Sequence, residues 1–264
     1  MRKLKDFIIF TTVCLMFTTM FGCSAILEGK MAQKFTMLFS GNNFRANQRI
    51  TVVTAPEDLN LYRNLLPVQF DLPEHPMVLI SVVDDFEVGP WPLTPYLYSF
   101  ISLRCVYKGE EGWCPITMPE SKLIAVLGGR VMGYPKYLAD NISFIQYGDS
   151  WRGEVVHDGR LEILMEFTPE IKDNPPIWVR EKWPLDLEKS PTFNLMPPSK
   201  GPKVQVVRAV VEKNAKPVSE VTNGTVRITI APEIPGAKLI KSGTLFHGSY
   251  TLSKDTGITL TLDK

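Results

Sequence analysis

The most constraining feature of the chain is a pair of alternating segments around one turn. In RLEILMEF (Arg160 to Phe167), Leu161, Ile163, Met165 and Phe167 alternate with Glu162 and Glu166. Asp158 and Gly159 separate that run from GEVV (Gly153 to Val156). A period of two means a β-strand with one buried face, and Asp-Gly is the dipeptide that a tight antiparallel hairpin demands. The same grammar recurs. RITVV (Arg49 to Val53), MVLISVV (Met77 to Val83), ISLRCVY (Ile101 to Tyr107), VQVVRAVV (Val204 to Val211), TVRITI (Thr225 to Ile230) and GITLTL (Gly257 to Leu262) all read as strands, with Asn223 and Gly224 as turn residues before TVRITI. Helical signals are few: one short helix in PEDLNLYRNLL (Pro56 to Leu66) and another in ESKLIAVLGG (Glu120 to Gly129). The expected fold is therefore mainly β (α+β), largely antiparallel, with few short helices.

A core of this kind needs apolar residues, and 44% of the 264 residues are hydrophobic against 22% charged, the balance of a globular domain. Basic and acidic residues number 29 and 28 and are spread along the chain, which gives no electrostatic footprint for nucleic acid. Prolines recur between Thr168 and Pro202 and block both ladders and helix interiors, so that stretch is expected to be a long ordered connection within one domain.

The N-terminus follows different rules. Arg2, Lys3 and Lys5 precede an apolar stretch from Phe7 to Gly22, the layout of a secretory signal. Met20, Phe21, Gly22 and Cys23 resemble a bacterial lipobox, with Cys23 as the lipidated residue; Met20 and Phe21 depart from its usual aliphatic-then-small preference, and the other reading is an ordinary cleavage site abutting a cysteine. The expected division is a signal peptide at 1–22, a lipid-anchored tether at 23–45 and one domain at 46–264. The expected location is the bacterial cell envelope, facing the periplasm and anchored by lipid, at the outer rather than the inner membrane.

In the mature body only Cys105 and Cys114 remain, flanking KGEEG (Lys108 to Gly112). If that run closes a hairpin in one of its registers, the two cysteines face each other and an oxidising compartment permits a disulfide; in another register they are two buried thiols. His75, His157 and His247 show no metal-ligand or nucleophile spacing, so no metal or cofactor is expected.

Lys136 stands out because it follows Tyr134 and Pro135 at the end of an apolar, glycine-punctuated stretch, where the fixed proline dihedral gives it a reproducible direction. The order GGRVMGYPK (Gly128 to Lys136) resembles the lysine motif of the acetoacetate decarboxylase family, in which a Gly-Arg-Glu stretch runs into Tyr-Pro-Lys. VTAPEDLNLYRNLLP (Val53 to Pro67), VYKGEEGWCPITM (Val106 to Met118) and FNLMP (Phe193 to Pro197) extend the resemblance over roughly Gln48 to Leu262.

The resemblance implies an antiparallel β-barrel or cone with Lys136 pointing into an apolar interior, and a lysine amine that attacks a carbonyl to form a Schiff base. It implies a small carbonyl or keto-acid partner, and homo-oligomers are frequent in the family. Lysine is almost wholly protonated at neutral pH unless desolvated or placed beside another cation, and acetoacetate decarboxylase is itself the standard example of such activation. Val131, Met132, Tyr134 and Leu138 are the expected apolar cover. Arg49 lies within one position of a family arginine and is expected to orient a substrate carboxylate; Tyr98, Arg130 and Tyr134 complete the expected substrate-binding set.

Three positions depart from the family pattern. Tyr137 stands where a second lysine is typical, Tyr98 falls where decarboxylases place a pocket glutamate, and the glutamate of Gly-Arg-Glu is missing, Arg130 falling at its position when counted back from Lys136 without a gap. Asp84, Asp85 and Glu87 are nearby carboxylates expected to lie in a solvated loop. Two classes of function follow: a lyase using a Schiff base on Lys136, by decarboxylation or by aldol or dehydration chemistry, or a non-catalytic lipoprotein whose barrel binds a small ligand.

Overall fold

The structure is a computed structural model and describes residues 44–89, 95–170, 190–196 and 205–262. The signal, Cys23 and nearly all of the tether lie outside the described residues, as does most of the proline-rich connection. Among the described residues no helix is long and apolar enough to cross a membrane.

Eleven strands form one sheet, in the sequence β1 Phe44–Thr54, β2 Val78–Gly89, β3 Tyr96–Tyr107, β4 Glu110–Glu120, β5 Lys136–Leu138, β6 Asn141–Tyr147, β7 Ser150–His157, β8 Arg160–Pro169, β9 Thr192–Met196, β10 Gln205–Ile230 and β11 Leu245–Leu262. Among the described residues two α-helices interrupt them, α1 at Leu59–Leu65 and α2 at Leu123–Val131. The fold is mostly β, as the alternating segments demand.

The tight turns sit where their chemistry places them. His157 pairs with Arg160 around Asp158 and Gly159, at φ of 49° and 68°. Tyr107 pairs with Glu110 around Lys108 and Gly109, at 50° and 82°. Left-handed dihedrals at both central residues match the right-handed twist of the strands they join.

Two expectations about strands are corrected. Asn223 and Gly224 form no turn but lie inside the 26-residue β10, where Gly224 pairs with Gly248 on one side and Pro169 on the other. A Cβ at Gly224 would stand 2.2 Å from the Thr168 carbonyl oxygen, so the glycine serves close strand approach.

The barrel, too, does not close. The path runs β11-β1-β2-β3-β4-β9-β10-β8-β7-β6, with β11 also pairing β10. Yet β4 meets β9 through the single parallel pair Trp113↔Thr192. Because β10 is long enough to pair β9 with its first residues and β8 with its last, the sheet continues past it to β6 at an edge. Parallel pairs at β4–β5 and β4–β9 make the sheet mixed.

One face carries the main core: Ile50, Val52, Ile80, Val82, Ile101, Leu103, Phe167, Phe193 and Ile228 are all fully buried there, with Tyr62 from α1. Tyr62 accounts for its polar end by donating from its hydroxyl to the backbone carbonyl of Arg104. Strand alternation sends the intervening residues to the other face, where Met77, Leu79 and Trp113 form a smaller apolar cluster. Polar groups are buried on that face too.

Candidate active site

Local backbone chemistry explains how Lys136 is aimed. At the end of α2, Tyr134 N–H donates to the Gly129 carbonyl and Gly133 N–H to the Arg130 carbonyl, with Gly133 left-handed at φ 81°. This is the paired hydrogen-bond termination that glycine permits at a helix end, and the proline that follows cannot continue the helix. The chain then enters β5 in parallel register with β4, Met118 opposite Lys136 and Glu120 opposite Leu138. Lys136 thereby lands on the second face of the sheet and is only 8% exposed.

Its ammonium forms an ion pair with the carboxylate of Glu120, which is completely buried. Around the Nζ stand three rings: Tyr134 at 5.5 Å, Tyr96 at 5.8 Å and Tyr98 at 6.0 Å from their centroids. α2 closes against the lysine stem, since a Cβ at Gly129 would lie 2.2 Å from the Lys136 Cδ. Tyrosine rings thus form part of the apolar cover. Tyr134 contributes as expected, but Leu138 is 41% exposed.

Arg49 joins the cluster from β1. Burial drives its guanidinium below its ordinary value, opposed by the charges of Tyr98 and Asp85. Asp85 corrects another expectation: it lies within β2 and is fully buried, not in a solvated loop. Asp84 points to the opposite face, where its carboxylate accepts from the Gln48 side-chain amide at 2.9 Å, and Glu87 is exposed.

Lys136, Arg49, Tyr98 and Tyr134 are therefore brought together. Arg130 stands apart from them: it is exposed and donates from Nε to the Lys136 backbone carbonyl at 2.6 Å, tying the end of α2 to β5. Tyr137, one residue on, projects away from Lys136. Its hydroxyl donates to Glu162 at 2.5 Å and its ring lies 5.0 Å from that of His157. Burial, then the Glu162 carboxylate, pushes this phenol up.

Cys105 and Cys114 are free, buried thiols. The two-residue turn at Lys108 and Gly109 sets Cys105 opposite Gly112 and Cys114 opposite Leu103, two residues out of the register a direct cross-strand disulfide needs.

Glu120, which the sequence did not single out, supplies a buried carboxylate to Lys136. Sequence reasoning placed Glu120 at the start of a helix, whereas β4 runs through Pro119 and ends on it. The discoverable signal was alternation: Met118 and Glu120 share a strand face, and Glu120 is the β4 partner of Tyr98. Tyr96 was also missed. Among the described residues no group of three or more metal-ligating side chains lies together.

The model of the family described as acetoacetate decarboxylase (ADC) matches residues 30–239. The chain belongs to the acetoacetate decarboxylase family. Its structure is similar to that of acetoacetate decarboxylase from Legionella pneumophila subsp. pneumophila str. Philadelphia 1, with TM-score 0.67 and 18% identity over 85% of this chain and 88% of that one. A further acetoacetate decarboxylase structure gives TM-score 0.66 and 15% identity over 84% and 88%. The enduracididine biosynthesis enzyme MppR complexed with pyruvate gives 0.64 and 13% over 86% and 91%. At these identities the likeness to the solved structures is one of fold. No curated protein sequence matches the chain.

Proposed function

We propose that this member of the acetoacetate decarboxylase family is a lyase that forms a Schiff base between Lys136 and a β-keto acid or related carbonyl substrate. The observation that carries the reading is the Lys136–Glu120 ion pair, buried inside a ring of tyrosines. Two buried charges are held at a desolvation cost, and moving one proton from the ammonium to Glu120 abolishes both charges at once. That transfer yields the neutral amine that a carbonyl addition requires.

The amine adds to the ketone carbon, and Glu120 returns its proton to the carbinolamine hydroxyl, so that loss of water leaves a cationic iminium. The bond from the adjacent carbon to the carboxylate then breaks, its electron pair flowing to the iminium nitrogen to give an enamine and carbon dioxide. Protonation of the enamine carbon and hydrolysis return ketone and amine. The tyrosine faces favour positive charge at Nζ through each cationic stage. Arg49 supplies a desolvated guanidinium for the substrate carboxylate before it departs.

Aldol or dehydration chemistry on the same iminium is the second form of this reading. MppR, of the same fold, is known in complex with the condensation product of pyruvate and imidazole 4-carboxaldehyde. The leader at 1–22 and Cys23 support the further proposal that the domain is exported and lipid-anchored; the mass of the mature N-terminus tests it.

The experiment for the site is reductive trapping. Acetoacetate, pyruvate or small ketones are incubated with the protein, borohydride is added, and the adduct is mapped by mass. A carbonyl adduct at Lys136 that disappears in Lys136→Ala is the expected result. A folded protein that traps nothing at Lys136 overturns the lyase and leaves a ligand-binding domain.

A further inference from the structure

Asn194 is 2% exposed, and among the described residues neither its amide oxygen nor its amide nitrogen has a hydrogen-bond partner. Folded proteins satisfy the large majority of buried side-chain polar atoms, and each one left unmade costs about 1–3 kcal/mol. A whole carboxamide so placed is expensive to keep unless something outside the chain uses it.

Its position says what. Phe193 and Leu195, its neighbours on β9, pack into the main core, so alternation turns Asn194 to the opposite face. That is the face of Lys136 and Glu120. β9 runs parallel to β4 from the pair Trp113↔Thr192, and that register carries Asn194 toward Pro115; β5 lies along the same edge of β4 from Met118. The offset from Pro115 to Met118 is three residues, roughly 10 Å along an extended strand. On the other flank Asn194 pairs with Val207, which is completely buried. The amide thus lies between Val207 and the Pro115 position, on the sheet face that also carries Lys136 and Glu120.

We infer that Asn194 is a specificity-determining residue that hydrogen-bonds a second polar group of the substrate, a hydroxyl or carbonyl carried several carbons beyond the carbonyl that Lys136 attacks. The inference rests on the Schiff-base reading of Lys136 and names its substrate class: a keto compound with a distal oxygen, longer than acetoacetate. A hydroxyl both donates and accepts, and so satisfies either atom of a carboxamide. A site built to bond such a group discriminates against the analogue lacking it, because its own polar atom is then left buried and unpaired.

The test combines two readouts on wild type and Asn194→Leu. Borohydride trapping is run on a graded series of 2-alkanones, each matched with its ω-hydroxy counterpart. At one chain length wild type is expected to trap the hydroxylated ketone about tenfold more readily, the value of one neutral hydrogen bond kept from going unmade. Asn194→Leu is expected to lose that preference while still forming the Lys136 adduct with the plain ketone. Thermal unfolding without ligand is expected to show a Tm for Asn194→Leu equal to or above wild type, because an unsatisfied buried amide has been removed. Wild-type adducts with no hydroxyl preference at any length, or a preference unchanged in Asn194→Leu, overturn the role of Asn194 and leave Lys136 standing. A large fall in Tm shows that the amide is bonded within the protein and overturns it also. No wild-type adduct at all overturns the Lys136 reading, and this inference with it.

Discussion

Tyr98 on β3 and Glu120 on β4 are cross-strand partners, and of the two it is Glu120 whose carboxylate meets the Lys136 ammonium. Cross-strand partners in an antiparallel pair present their side chains on the same face a few ångströms apart. The carboxylate that meets Lys136 therefore comes from β4, beside the Tyr98 phenol on β3.

This relationship makes Glu120→Gln the most direct test of amine activation. Glutamine keeps the volume and a hydrogen-bond acceptor but cannot take the Lys136 proton. Trapping at Lys136 is expected to slow by about 10²-fold or more, the usual contribution of a positioned acid-base group. Borohydride adduct yield against time, with circular dichroism confirming the fold, measures it. Unchanged kinetics would remove Glu120 from the activation step.

Much of this was legible in the chain, and the failures share one cause. The Asp158–Gly159 hairpin, the strand runs and Lys136 are local signals, written in adjacent residues. Glu120 and Asp85 were misplaced because neither belongs to a motif of its own: each is a charged residue near a strand end, and such residues are normally solvated. What buries them is a cross-strand neighbour contributed from elsewhere, Tyr98 for Glu120 and Tyr96 for Asp85. Asn223 and Gly224 carried true turn chemistry, but tertiary pairing with β8 and β11 overrode it. The cysteine pairing turned on a register that composition does not specify.

Gly129→Ala separates placement of the lysine from its chemistry. Within a helix interior alanine is favoured over glycine by roughly 1 kcal/mol, so α2 itself gains. The new methyl would occupy the space of the Lys136 Cδ and Cε, at 2.2 and 2.5 Å, and the flexible side chain must swing aside. A Tm within a few degrees of wild type, together with at least tenfold lower trapping at Lys136, is the expected pair of results. Normal trapping would mean that the stem has room the packing does not show.

The buried thiols predict a specific alkaline weakness. Burial pushes the Cys114 thiol from its ordinary 9.0 up to about 12. The folded state then holds its proton to higher pH than the unfolded chain does, so this contribution to stability is full below about pH 9 and declines as pH rises toward 12. Near pH 10 about 1 kcal/mol of it is lost, and urea unfolding of wild type against Cys114→Val across pH 8 to 10 isolates the difference from other titrating groups. Iodoacetamide should label neither Cys105 nor Cys114 in the folded protein at pH 8. Rapid labelling of Cys114 in the folded state would show that the thiol is not desolvated.

Tyr137 tests whether the family's second lysine position bears on the amine in this chain. In β5, successive side chains point to opposite faces, and Tyr137 is held by Glu162 and His157 while Lys136 is held by Glu120. Tyr137→Phe takes a donor from a Glu162 that is 8% exposed, and the expected cost is about 1–3 kcal/mol in urea unfolding. Trapping at Lys136 should be unaffected under conditions where the variant is folded. Tyr137→Lys carries the argument further, because it restores the family residue but sets its ammonium beside Glu162, away from the reactive amine. No gain in trapping rate is expected from it. A rate increase of tenfold or more would show that the second position reaches Lys136 after all, and that an adjacent cation, in addition to Glu120, sets the charge of the nucleophile.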